Sequence, residues 1–300
     1  MPPKRGNPLQ WLSSTRLVIV AGKGGVGKTT VTAVLARAAI RVGLSVLVVE
    51  MDGKPPLAQL LAEPADGEAL ETISVTPAQA LGDYLNTHGL ARVAKRLVGN
   101  GLIDVVATAA PGIDDIVVLG RLKQLERDGT YDLILVDGPA AGHAVTMLMA
   151  PTGLQQAVRG GPVRHQADEV RQLLTDHDRV QVVLVTLAEA TPVNELLETA
   201  AALRDKIDVR LGPVVINSVD AGPPLVVPAG AANTDLGRAA DYTNARLALQ
   251  RAEIQRLDTE WAGERVIVPR LAGDGLDPAG IDRLADALLD VDGKLLRVDR

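Results

Sequence analysis

The chain has 300 residues, 47% apolar and 23% charged, with a formal net charge of −6, no cysteine, no phenylalanine and 2% aromatic residues. A chain of this length buries roughly three quarters of its unfolded surface, so an ordered core of Ala, Val, Leu and Ile is expected. The acidic balance argues against a nucleic-acid backbone as main partner, and the lack of thiols excludes disulfides, thiolate zinc sites and cysteine-held iron–sulfur clusters.

In chain order, Met1 to Ser14 carries Lys4 and Arg5 but three prolines and no apolar core, so a signal peptide is not expected. No apolar run is long enough to span a bilayer, and a soluble, cytoplasmic protein is expected, any membrane contact being made through a partner. The apolar run Leu17–Ala21 reads as a strand and leads into Gly22-Lys23-Gly24-Gly25-Val26-Gly27-Lys28-Thr29-Thr30, which satisfies the phosphate-loop pattern G-x-x-x-x-G-K-[ST]. A helical stretch follows over Thr29–Val42, completing the strand–loop–helix context that the pattern needs. Glycines let consecutive N–H groups converge on phosphate oxygens, and the helix aims its positive end at the same anion. Lys28 is expected to neutralise β/γ-phosphate charge and Thr29 to offer its hydroxyl to Mg²⁺. The ligand is therefore a nucleoside triphosphate.

Further strands are expected at Ser45–Val49, Leu133–Val136, Val180–Thr186, Gly212–Ile216 and Arg265–Val268, with a shorter peripheral one at Ile73–Val75. Helices are expected at Pro77–Asn86, Asp114–Arg127, Ala167–Asp176, Pro192–Arg204, Leu236–Glu260 and Pro278–Leu289. Short apolar strands alternating with helices predict an α/β fold, a doubly wound and mostly parallel sheet. Residues 1–300 read as a single domain, with a largely helical insertion over about 55–128 and a second short helical excursion over about 153–178. Ser218–Asn233, rich in Ala, Pro and Gly, reads as a loop. An apolar strand ending at Asp137-Gly138 is placed to hold Mg²⁺ through its carboxylate. Asp52, just after the second strand, is placed where a water-positioning carboxylate is needed, with Glu50 as the nearby alternative.

Lys23 gives the loop the form K-G-G-x-G-K-[ST], which resembles the deviant Walker A of dimeric ATPases such as MinD, ParA, nitrogenase iron protein and the arsenite-pump/tail-anchored-protein-targeting ATPases. The resemblance implies that Lys23 reaches across a dimer interface to the partner's nucleotide, a task that suits a flexible point charge. Asp137-Gly138-Pro139-Ala140-Ala141-Gly142-His143 resembles the switch II segment Asp-Thr-Ala-Pro-Thr-Gly-His of the arsenite-pump/targeting family, with Gly142 and His143 keeping their places and both threonines gone. Switch I of that family, Asp-Pro-Ala-His-Ser/Thr, survives only as Asp52, followed by Gly-Lys-Pro-Pro. Pro111-Gly112-Ile113-Asp114-Asp115 resembles the family's Pro-Gly-Ile-Asp-Glu. Val214-Val215-Ile216-Asn217 resembles the strand ending in an adenine-reading Asn, and Val268-Pro269-Arg270-Leu271 the loop that packs on the adenine. Arg159 to Asp168 resembles shorter actinobacterial members.

What the family implies is a Mg-dependent ATPase, with ATP as substrate, acting as a homodimer, or a heterodimer with a related ATPase, on an unidentified protein or membrane-machinery client. The chain lacks the family's Cys-x-x-Cys zinc site and metalloid-binding cysteines, and it has four Met. Two other readings compete: a MinD/ParA-like positioning ATPase, and a weakly active binding partner in a heteromeric ATPase, suggested by the eroded switch I. The tail Ile281–Arg300 is amphipathic but carries five aspartates, Asp282, Asp286, Asp290, Asp292 and Asp299, which counts against the first.

Overall fold

The computed structural model describes residues 10–51, 56–61, 69–87, 112–228, 230, 233–271 and 276–289. Asp52, the 88–111 part of the insertion, Pro111 and the tail from 290 lie outside the described residues. Among the described residues, seven strands form one all-parallel sheet: β1 Leu17–Gly22, β2 Val46–Glu50, β3 Leu70–Ser74, β4 Leu133–Ala140, β5 Val180–Leu187, β6 Val214–Val219 and β7 Arg265–Pro269, in the order β3-β2-β4-β1-β5-β6-β7. β1 is central, pairing with β4 through Val18↔Leu135 and with β5 through Val18↔Gln181.

The described helices are α1 Lys28–Arg41, α2 Pro56–Leu61, α3 Pro77–Thr87, α4 Ile113–Asp128, α5 Ala141–Ala157, α6 Pro162–Leu174, α7 Ala190–Ile207, α8 Asp235–Glu260 and α9 Pro278–Leu289. Strand alternation divides them into two layers. Val18, Val20, Val46, Val48, Leu133 and Leu135 pack with α1, α2 and α9. Leu17, Ile19, Leu47, Val49, Ile134 and Val136 face the other way, toward α3–α7 and the C-terminal half of α8. Because both faces of the central strands are covered, these strands read as unbroken apolar runs. Each fully buried Leu or Ile removed from water contributes about 1.5–3 kcal/mol, and this is the main force holding helices to sheet.

Two expectations about strand and helix limits need correction. The strand expected to stop at Val136 runs on through Asp137, Gly138 and Pro139 to Ala140. The segment that resembles switch II enters α5 at Ala141, and α5, not among the expected helices, continues through Pro151. An internal proline costs a helix about 3 kcal/mol, but Ala144, Met147, Leu148 and Pro151 are all buried, and that packing prevails. The excursion expected over 153–178 comprises the end of α5 and all of α6, and within the 55–128 insertion β3 pairs with β2 at the sheet edge.

At the C-terminal end, α9 buries Ile281, Leu284, Ala285 and Leu288 against the α1 layer. The Arg37 and Arg41 guanidiniums pair with Asp282, and Arg41 also pairs with Asp286, fastening α9 to α1. Among the described residues no helix is long and apolar enough to cross a membrane.

Candidate functional site

The phosphate loop leaves the C-terminal end of the central strand, where the connections diverge: β1 leads by α1 to β2 on one side, while β5, β6 and β7 extend the other. Ligands of open parallel sheets gather at such a point. Two of its glycines are required by geometry. A β-carbon on Gly22 would lie 2.3 Å from the Val185 carbonyl oxygen, so the backbones of β1 and β5 leave no room for a side chain. Gly27, at φ +86°, holds a left-handed conformation, and a β-carbon there would meet Asn217 Nδ2 at 2.2 Å. Gly27 then starts α1, whose Val31 N–H donates to the Gly27 carbonyl at 2.9 Å.

The structure brings most of the site residues expected from the sequence to this one end of the sheet. Lys28 Nζ donates to the Lys23 carbonyl at 3.3 Å, which keeps the ammonium folded over the loop. Thr29 Oγ1 donates to Asp137 Oδ2 at 2.7 Å, so the two expected Mg²⁺ ligands are in direct contact. Thr32, fully buried on the next turn of α1, has one hydroxyl proton to share between the Lys28 carbonyl at 3.0 Å and Asp137 Oδ1 at 3.4 Å. Sequence reading missed Thr32; its place three residues after Thr29, on the same helix face, was the available signal.

Asp137 lies between two neighbours in register, Val20 on β1 and Glu50 on β2. Glu50 accepts the Leu57 N–H at 3.2 Å, joining the end of β2 to the first turn of α2 across the Asp52 segment. Burial pushes the Glu50 carboxyl above the usual carboxylate range; the Leu57 hydrogen bond opposes this and the Asp137 charge adds to it. A hydroxyl and a carboxylate are hard oxygen donors of the kind Mg²⁺ takes, and Mg²⁺ typically uses only one or two protein ligands beside substrate phosphates and water. The donor set fits Mg²⁺.

Asn217 ends the regular part of β6 and is buried, with Nδ2 donating to the Val26 carbonyl at 2.9 Å. It therefore braces the phosphate loop as well as facing a cavity. One N–H committed to Val26 leaves the amide a second donor and its carbonyl. That cavity, about 300 Å³, is lined by Thr30, Asn217, Ser218, Pro269, Arg270 and Leu271 among others, so the two residues assigned to adenine stand together beside the loop. Ser218, which sequence reading did not single out, holds a left-handed φ of 57° where the β6–β7 register shifts. Such strained residues in irregular strands gather at functional sites, where they re-aim the chain.

Gly142 and His143 stand on the first turn of α5, one strand end away from Thr29. The His143 side chain is 59% exposed, and its Nε2 lies 3.8 Å from Asp115 Oδ1 on α4. Burial raises the Asp115 carboxyl, His143 opposes this and Asp114 adds to it. Lys23 forms an ion pair of 2.5 Å with Glu195 on α7 of its own chain. A separate cavity of about 290 Å³ between α3, α4 and α6, lined by Arg121, Lys123, Arg127 and Glu169 among others, shares no residue with the phosphate loop.

A glycine-locked anion loop on the central parallel strand, with a hydroxyl–carboxylate pair beside it, defines a P-loop nucleoside triphosphatase. The profile of the Anion-transporting ATPase family matches residues 15–160. The chain is 31% identical over 286 residues to ATPase BagA of Mycobacterium tuberculosis, covering 86% of this chain and 81% of that protein. It is 27% identical over 310 residues to a putative arsenical pump-driving ATPase of Halobacterium salinarum (94% and 45%), and 28% identical over 207 residues to ATPase GET3 of Podospora anserina (65% and 58%). The chain belongs to the anion-transporting ATPase family, and it is an ATPase.

Proposed function

We propose that the protein is a Mg²⁺-dependent ATPase working as a dimeric switch, in which each nucleotide site combines one chain's Asp52 with the other chain's Lys23, and that hydrolysis acts on a protein or membrane-machinery client. The observation that carries this reading is the placement of Lys23. It sits in the phosphate loop, yet its ammonium points to α7 rather than folding over the loop as Lys28 does. In this scheme Lys28 and the loop backbone hold the phosphates, and Thr29 and Asp137 hold Mg²⁺, which when bound neutralises phosphate charge. Asp52 orients the attacking water, Asn217 and Pro269 select adenine, and Gly142 and His143 report the state of the γ-phosphate.

The dimer is formed by two copies of this chain or by this chain and a related ATPase. One relative is named for driving an arsenical pump, but a chain without cysteine has no thiolate to bind a metalloid, so arsenite is not the proposed substrate. Packing of the α9 apolar face onto α1 supports the client reading over a MinD-like one, which would need that face free for a membrane.

Mixing complementary variants tests the scheme. Lys23→Ala and Asp52→Asn are each expected to be nearly inactive. In a mixed dimer, one site has its own Asp52 and the partner's intact Lys23, while the other lacks both. Random exchange makes half the dimers mixed, so roughly a quarter of parental turnover returns if the trans cation contributes about a thousandfold or more. Near-zero activity after verified exchange of subunits in a homodimer would overturn the trans assignment.

A further inference from the structure

The ion pair between Lys23 and Glu195 joins residues 172 positions apart and ties the phosphate loop to the second turn of α7. Both side chains are partly exposed, 37% for Lys23 and 35% for Glu195, so the pair is open to water and screened. Such pairs are weak, each changing an equilibrium by about 1.4- to 5-fold. Weakness suits a contact that has to be exchanged. Lys28 already supplies a cation to the loop, and a second ammonium left free beside it would neutralise the triphosphate bound in the same chain. A single carboxylate on α7 offers Lys23 one negative charge, against the several that a triphosphate carries.

We propose that Glu195 is a positioning residue for Lys23: it holds the lysine away from the triphosphate of its own chain and releases it when a second copy presents a more strongly charged nucleotide. The inference rests on the reading that Lys23 acts in trans. Forming the dimer then breaks two Lys23–Glu195 pairs, one per chain, and dimerisation is opposed by both. Removing the carboxylate relieves that opposition without touching the phosphate contacts of Lys28 or the loop backbone.

Analytical ultracentrifugation of the full chain with Mg²⁺ and a slowly hydrolysed ATP analogue measures the effect. With Glu195→Gln, the dimer dissociation constant should fall by up to about 2- to 25-fold, the square of the single-pair factor, and the KM for ATP should not rise. Glu195→Asp, which keeps the charge, should return the constant toward the parental value. In a Lys23→Ala background, Glu195→Gln should have no effect. A direct reporter is the ¹³C signal of reductively methylated Lys23, which should shift in Glu195→Gln and on addition of nucleotide to the parent.

An unchanged or weaker dimer in Glu195→Gln, or the same gain in the Lys23→Ala background, overturns the proposal. Turnover of Lys23→Ala separates this failure from that of the underlying reading. If it matches the parent, the trans role and this inference fall together; if it is slowed while Glu195→Gln leaves dimerisation unchanged, this inference alone fails.

Discussion

The phosphate loop and the β4–α5 junction stand beside the same pair of strands but are held by different means. In the loop, Gly22 is pressed against the Val185 carbonyl, Gly27 against the Asn217 amide, and Asn217 is hydrogen-bonded to Val26. At the junction, His143 is largely in solvent and its nearest acid, Asp115, is 3.8 Å away. A fixed backbone aims its donors before a ligand arrives and pays no reorganisation on binding. Loosely paired side chains change partners at little cost. The first arrangement suits gripping phosphates, the second suits responding to their loss.

The sharpest separation of gripping from responding is expected at Asp52. Asp52→Asn should slow steady-state turnover by about 10²- to 10⁴-fold while calorimetric ATP affinity stays within a few-fold, since the loss falls on water orientation. If turnover stays near the parent's, Asp52 is a turn residue and Glu50 is the next candidate. Lys28→Ala should do the reverse and abolish tight triphosphate binding, weakening it by about 10- to 150-fold through loss of a charged hydrogen-bond donor. Undiminished affinity in calorimetry would remove Lys28 from the phosphate site.

Asn217→Ala addresses the brace. It leaves the buried Val26 carbonyl unpartnered, at a cost of about 1–3 kcal/mol, and should both lower stability and erase a preference for ATP over GTP. Equal or tighter GTP binding by the parent protein would defeat the adenine assignment itself. The smallest effect is expected at Asp115. Its folded-state pKa is raised, chiefly by burial, so its contribution is fully present below the ordinary aspartate value of 3.8 and is lost as pH rises through the higher folded value. Asp115→Asn should therefore stabilise the protein modestly at pH 7 and lose that advantage near pH 4, as thermal melts at the two pH values will show. A loss of stability at pH 7 would mean that the His143 contact outweighs burial.

The strands and the phosphate loop were legible because their signals are local. β1, β2, β4 and β5 carry runs of Val, Ile and Leu covered on two faces, and the loop's glycines lie next to one another in sequence. The extension of β4 and the existence of α5 were not legible, because Gly138-Pro139 and Pro151 are local breakers overruled by packing. A β-carbon on Gly138 would lie 2.4 Å from the Val20 carbonyl oxygen, and that close approach keeps the strand beside β1. The bonds of Asn217 to Val26 and of Lys23 to Glu195 join residues 191 and 172 positions apart, and no residue spacing announces such partners. Asp115 and His143 were each noted from the sequence, but their proximity depends on how α4 packs beside α5.

β1 has three strands on either side of it. Its backbone amides can therefore reach solvent only when the sheet as a whole comes apart, whereas β3 and β7, the outer strands among the described residues, can fray from the margins. In a hydrogen–deuterium exchange experiment, the amides leading into the phosphate loop should be among the slowest in the molecule. Proteolytic nicking that begins at the β3 margin, the one remote from Pro269 on β7, should leave a fragment still able to hold nucleotide, so the capacity to bind outlasts the integrity of that side of the fold.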